Sequence, residues 1–304
     1  MRGRLAAPAV LAGAAVFALA ACSSSASSPS TAPPSPSMTA EASAPAGDAS
    51  SGPVEADAAA EHVHNLALVG TDLYLGTHEG LFKQPAGAPM SRVSAEPFDV
   101  MGLTRSGDSW FASGHPGEAM GGPADLGLIT SADDGVTWSP VSLSGDVDFH
   151  RLSASGDTIM GVSAHDGAFM RSTDAGSTWT TLSAVPPFDL AVSPQDPLVV
   201  VGTTPDGPTL SRDGGETFTA IEGAPLIALV SCDGTDLYGI DPSGQVLVSS
   251  DEGRTWASRG TVAAEPVAAT AQGGALAILA GGTVYYSTDG GQSFTPRITG
   301  LAGH

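Results

Sequence analysis

An eight-residue stretch that occurs five times constrains this chain more than any other feature. It reads SADDGVTW at Ser131–Trp138, STDAGSTW at Ser172–Trp179, SRDGGETF at Ser211–Phe218, SSDEGRTW at Ser249–Trp256 and STDGGQSF at Ser287–Phe294. Successive copies start 41, 39, 38 and 38 residues apart, and a fixed period of this size marks a repeat architecture. The pattern Ser-x-Asp-x-Gly-x-(Thr/Ser)-(Trp/Phe) is turn chemistry. Asp accepts hydrogen bonds from backbone N–H groups just downstream, and Gly takes a positive φ. The hydroxyls tie the two sides of the turn together, and the terminal ring pins the hairpin onto its neighbours. Asp133, Asp174, Asp213, Asp251 and Asp289 therefore read as structural turn-formers rather than as catalytic or metal-binding groups, because an active site rarely needs the same carboxylate in every repeat.

Aligned on these turns, the chain divides into six units, starting near Asp57, Glu96, Gly145, Pro186, Ala224 and Ala264. Each unit has two apolar runs, a strand leading into the turn and a strand leaving it. The last unit reads PVAATAQ, ALAILAG, TVYYSTD and SFTPRITGL. Four strands per roughly forty residues, with no helical periodicity, predict an all-β fold, a six-bladed β-propeller with seven blades as the alternative count. The first unit carries LFKQPAGAPM where the motif belongs, as suits a terminal repeat that helps to close a ring, and closure is expected to borrow a strand from either end. The motif resembles the Asp-box, or BNR repeat, of sialidase-like and other β-propellers. That resemblance implies that the boxes sit away from the active face.

Arg2 and Arg4 precede an apolar run from Leu5 to Ala21 that is short and ends in small residues, so residues 1–21 read as a signal peptide rather than a membrane span. The run closes on Leu19-Ala20-Ala21-Cys22, which resembles a bacterial lipobox and implies lipidation of Cys22. Residues 22–57, rich in Ser, Ala and Pro, then read as a disordered tether, leaving 58–304 for the propeller. The expected location is the outer face of the cytoplasmic membrane, in the cell envelope, held by the lipid. Cys232 is the one other cysteine, so no internal disulfide is available. The net charge of −21, with Lys83 the sole lysine, argues against nucleic-acid binding and suits solubility or attraction of cations.

The blade frame also sorts the polar residues. The lead-in to each first strand and the second-to-third connection open on the face opposite the boxes. His62 and His64 occupy the lead-in of blade one, and His78 and Glu79 its connection, GTHEGLF. Asp99 and Met101 stand at the lead-in of blade two, with His115 and Met120 in its long connection, SGHPGEAMGGPADLG. Asp148 and His150 stand at the lead-in of blade three, with His165 and Asp166 in its connection, SAHDGAF. Six of the seven histidines thus fall on one face of three adjacent blades.

Histidines with carboxylates suit zinc or copper, and the two methionines tilt the choice toward copper. His62, His64, His78, His115, His150 and His165 are the metal-ligand candidates. The leading reading is a lipid-anchored propeller that binds a ligand, a transition metal being the specific guess. One alternative is a glycoside hydrolase that uses Glu79, Asp99, Asp148 or Asp166 as its carboxylates and a glycan as its substrate. Another is a scaffold for an envelope protein. Sialidases of this fold use an arginine triad, an Arg-Ile-Pro motif and a Tyr–Glu pair. Here Arg171, Arg212 and Arg254 lie in or beside boxes, Tyr74, Tyr238, Tyr285 and Tyr286 fall within strands, and Arg-Ile-Pro is missing, which argues against sialidase chemistry. The strings HVHNLAL, THEGLF, FDVMGL, SGHPG and DFHRL resemble bacterial lipoproteins described as BNR-repeat or glycosyl-hydrolase-like, and this implies a shared site in the first three blades.

Overall fold

The computed structural model describes residues 53–57, 60, 62–234 and 236–302. The expected signal segment, the lipobox at Cys22, most of the tether and His304 lie outside these residues. The described chain forms six sheets, each built on a four-stranded antiparallel meander, with a fifth, parallel strand added to the last. Blade two, for example, runs Asp99–Ser106, Ser109–His115, Leu128–Ser131 and Ser139–Ser142. The first strands touch one another in cyclic order, and blade six packs on blade one, so the sheets close into a six-bladed β-propeller.

Burial explains the sequence pattern of the strands. Second strands such as Asp72–Thr77, Thr158–Ser163 and Ala275–Ala280 are covered on both faces by neighbouring blades, so they read as continuous apolar runs rather than as alternation. Fourth strands such as Ser139–Ser142 and Thr180–Thr181 form the outer edge and are short and polar. The core lies between blades. Tyr74 and Leu81 of blade one pack with Val100 and Trp110 of blade two, and Leu73 and Leu75 pack with Ala277 and Leu279 of blade six.

Each box lies in its third-to-fourth turn and repeats one set of hydrogen bonds. In the first copy, Gly135 N donates to Ser131 Oγ at 2.9 Å, Thr137 N donates to Asp133 Oδ1 at 2.9 Å and Thr137 Oγ1 donates to Asp133 Oδ2 at 2.6 Å. The same contacts recur around Asp174, Asp213, Asp251 and Asp289. The hydroxyl donated by Thr137 or Thr217 holds the Asp133 and Asp213 carboxyls at about 2, well below the usual carboxylate range. Arg171 reaches the carbonyls of Asp213 and Gly214, and Arg212 pairs with Glu252, so these arginines link one box to the next.

Ring closure places the domain boundary earlier than composition suggests. The tether was expected to run to residue 57, but Val54–Glu55 form a parallel strand on Thr295–Thr299, with Val54 beside Ile298 and Glu55 beside Thr299. The outer edge of blade six offers unpaired backbone groups that a short extended segment satisfies. On the other side of the seam, Arg297 donates to the carbonyls of Thr71 and Gln84 in blade one. Gln84 itself donates to the carbonyls of Pro85 and Ala88, holding together the turn that lacks a box.

Candidate metal-binding site at the channel mouth

The six first strands surround a central channel of about 370 Å³, and His64, Arg151 and Asp189 are among the side chains that line it. At the boxless mouth these strands do not run regularly. The pairing shifts between Val63 and Asn65 in blade one, between Val100 and Gly102 in blade two, and between Phe149 and Arg151 in blade three. The residues set in those bulges are His64, Met101 and His150. A bulge adds one residue to a strand and re-aims its side chain, which gives adjacent blades the same opportunity to present a ligand. Two residues upstream, in matching places, stand His62, Asp99 and Asp148. His62 holds φ at 51°, a conformation uncommon outside glycine.

The second-to-third connections supply the other half of the site. Thr77 pairs with Gly80, so His78 and Glu79 form the tip of a tight hairpin. Asp99 pairs directly across the ladder with His115. That pairing needs Gly114, whose φ is +144° and where a Cβ would lie 1.9 Å from the Asp99 carbonyl oxygen. The long blade-two connection turns back so that Leu126 N donates to Gly114 O at 2.8 Å, which brings the buried Asp125 beside His115.

The result is one continuous polar cluster. Asp99 is its first centre: Oδ1 lies 3.8 Å from His64 Nε2, and Oδ2 lies 3.4 Å from His78 Nδ1 and 3.2 Å from His115 Nδ1. The His78 ring also packs on His62 and His64, with centroids 5.1 and 4.7 Å apart. The other nitrogen of His115 faces away from Asp99, 3.7 Å from Asp125 Oδ1 and 3.6 Å from Asp148 Oδ2. His165 Nε2 lies 3.4 Å from Asp125, and His150 Nε2 lies 2.6 Å from Asp148. All six histidines singled out from the sequence therefore meet in blades one to three, together with Asp99 and Asp148.

Asp125 is the member that sequence reading did not single out. It sits in an irregular connection with no strand register to place it, and its one signal was its position between Pro123 and Gly127. Two other candidates stand apart from these contacts. Asp166 accepts Ala168 N at 3.0 Å, which holds its carboxyl below the usual range and makes it a cap for its own turn. Glu79 is exposed at the hairpin tip. Met101 offers its carbonyl to Asn65 Nδ2, and Met120 lies exposed in the long connection.

The donor set fits a cation. One nitrogen each from His64 and His78 and one oxygen from Asp99 all lie within 4.8 Å of one another. Among the described residues, Asp99 Oδ1 and Asp148 Oδ1 are buried and accept no hydrogen bond. Burying carboxylate oxygens without donors is costly, and a bound cation offsets that cost. Cys232 packs against Ala191, Val201, Val230 and Leu237, where burial pushes its thiol up to about 12.

The BNR/Asp-box repeat family matches residues 285–296, which span the fifth copy of the motif. The other four copies carry the same hydrogen bonds. The chain is a six-bladed β-propeller that carries five Asp-box turns. No curated protein matches its sequence. Among solved structures, this Asp-box propeller is similar to a chain of a nidogen/laminin complex at 13% identity and a TM-score of 0.56, over 74% of this chain and 92% of that one. The extracellular domain of the hybrid two component system BT4673 from B. thetaiotaomicron aligns at 10% identity and a TM-score of 0.53, over 80% and 34%. PorZ of Porphyromonas gingivalis, a surface component of the type-IX secretion system, aligns at 13% identity and a TM-score of 0.50, over 80% and 33%. The Asp-box propeller thus spans about a third of the latter two chains.

Proposed function

We propose that this protein binds a divalent transition metal, zinc or copper, at the boxless mouth of the propeller, and that a lipid on Cys22 holds it in the cell envelope. The observation that supports the metal reading is the convergence of His64, His78 and Asp99 within 4.8 Å. Two imidazole nitrogens and a carboxylate oxygen are the ligand types these ions prefer. A net charge of −21 raises the local concentration of cations around the molecule. Calorimetric titration of untagged protein with Zn²⁺ and Cu²⁺ tests this reading. Binding that His78→Ala weakens by at least about tenfold supports it, and an isotherm that His64→Ala and His78→Ala leave unchanged overturns it. The anchor is tested separately: Cys22→Ala moves the protein from the membrane fraction to the soluble fraction of the expressing cells.

A second reading, docking of an envelope protein, draws on the other half of the same face. Val185, Phe188 and Leu226, at the lead-ins of blades four and five, and Val267, at the start of the first strand of blade six, are large apolar side chains exposed by 86, 66, 48 and 40%. Exposed apolar side chains gathered on one side mark interaction surfaces. Under this reading, Phe188→Asp with Val267→Asp abolishes partner binding and leaves metal stoichiometry unchanged.

A further inference from the structure

Both ring nitrogens of His115 face carboxylates, on opposite sides of the ring. Nδ1 lies 3.2 Å from Asp99, within the His64–His78–Asp99 set, and Nε2 lies 3.6 and 3.7 Å from Asp148 and Asp125. We propose that the mouth holds two metal ions, the second bound by Asp125, Asp148 and His165, with His115 bridging the two through its opposite ring nitrogens. This inference rests on the metal-binding reading above.

Three observations carry it. The spacings suit coordination: two ligands each about 2.0–2.1 Å from a tetrahedral ion lie roughly 3.3 Å apart. The contacts of His115 with Asp99 and of His165 with Asp125, at 3.2 and 3.4 Å, lie close to that edge length. Next, the Asp148 side chain is only 3% exposed, and its Oδ1 accepts no hydrogen bond among the described residues, so a deeply buried carboxylate oxygen stands beside the second set. Finally, His150 lies 2.6 Å from the other Asp148 oxygen, the arrangement by which an outer histidine fixes the orientation of a ligating carboxylate. His150 is thus a positioning residue for the second ion.

The two subsites are unequal. The first gathers three donors within 4.8 Å of one another, and it is the one such group among the described residues. The second ion therefore binds more weakly. Its arrival displaces the remaining ring proton of His115 to solvent, leaving an imidazolate whose two nitrogen lone pairs each hold one ion.

Copper titration of the untagged, folded protein, followed by metal analysis and electron paramagnetic resonance, is the test. Two Cu²⁺ per chain are expected, with the resonance signal growing over the first equivalent and falling over the second as the bridged ions couple. His165→Ala, at an exposed position, should reduce the stoichiometry from two to one while the first ion keeps its affinity. His150→Ala should keep two sites but weaken the second by roughly 10–100-fold. Two ions with additive, uncoupled signals overturn the bridge. One ion in the unmodified protein overturns the second subsite and leaves the first standing, and no bound ion overturns both readings.

Discussion

At the scale of single residues, the boxes show how little freedom the turns allow. Gly176 holds φ at +85°, and a Cβ there would lie 2.0 Å from Leu128 Cδ2 in the preceding blade. Gly176→Ala therefore adds backbone strain to a steric clash and should cost about 2 kcal/mol or more. In a domain of this size, that is a fall in Tm of roughly 4–8 °C, readable by thermal or urea unfolding. The neighbouring Ala175 already adopts φ 55°, so the strain is local to the turn and shared by two consecutive residues. Gly114 has the same character for a different purpose. Its missing side chain lets the Asp99 backbone approach, and this brings His115 alongside the Asp99 carboxylate.

At the scale of the hairpin and the blade, the boxes make stability depend on pH with a definite sign. Asp133, Asp213 and Asp251 are held down to about 2 from an ordinary value of 3.8. A depressed carboxyl contributes stability that is fully present above its unfolded value and is lost as pH falls through its folded value. Asp189 works in the opposite direction, because burial pushes its carboxyl up, but it is a single group against the repeated boxes. Melting temperature should therefore fall between about pH 4 and pH 2, and Asp251→Asn should lower Tm at pH 7 while making that acid limb shallower. An acid limb unchanged in the variant would remove the boxes as its cause. The seam between blades six and one depends on Arg297, which is half-buried and donates to two carbonyls of blade one. Arg297→Ala leaves those acceptors without their charged donor and should cost about 2–3 kcal/mol in urea unfolding.

At the scale of the whole molecule, the repeats were legible because one turn chemistry recurs at a near-constant spacing, and that spacing carried the blade frame, the strand order and the separation of the two faces. The gathering of His62, His64, His78, His115, His150 and His165 followed from that frame, since lead-ins and second-to-third connections share a mouth whatever their local conformation. What remained hidden depends on tertiary detail. The bulges at His64 and His150 leave no mark in a pattern of period two, Asp125 lies in a connection without register, and Val54–Glu55 is too short to show periodicity. The assembled face is divided: imidazoles and carboxylates occupy blades one to three, and exposed Phe188, Leu226 and Val267 occupy blades four to six. The imidazole–carboxylate contacts of the polar half join three blades, so an ion bound there acts as a cross-link. A ligand that binds only the folded chain stabilises it by about 2.7 kcal/mol at a hundred times its Kd, and with roughly 2–4 °C per kcal/mol this raises Tm by ~5–11 °C. Saturating Zn²⁺ should produce that rise in untagged protein, His78→Ala should remove most of it, and Mg²⁺, which prefers oxygen ligands, should not reproduce it. An equal rise with Mg²⁺ would show instead that diffuse screening of the acidic surface, and not coordination at the mouth, stabilises the ring.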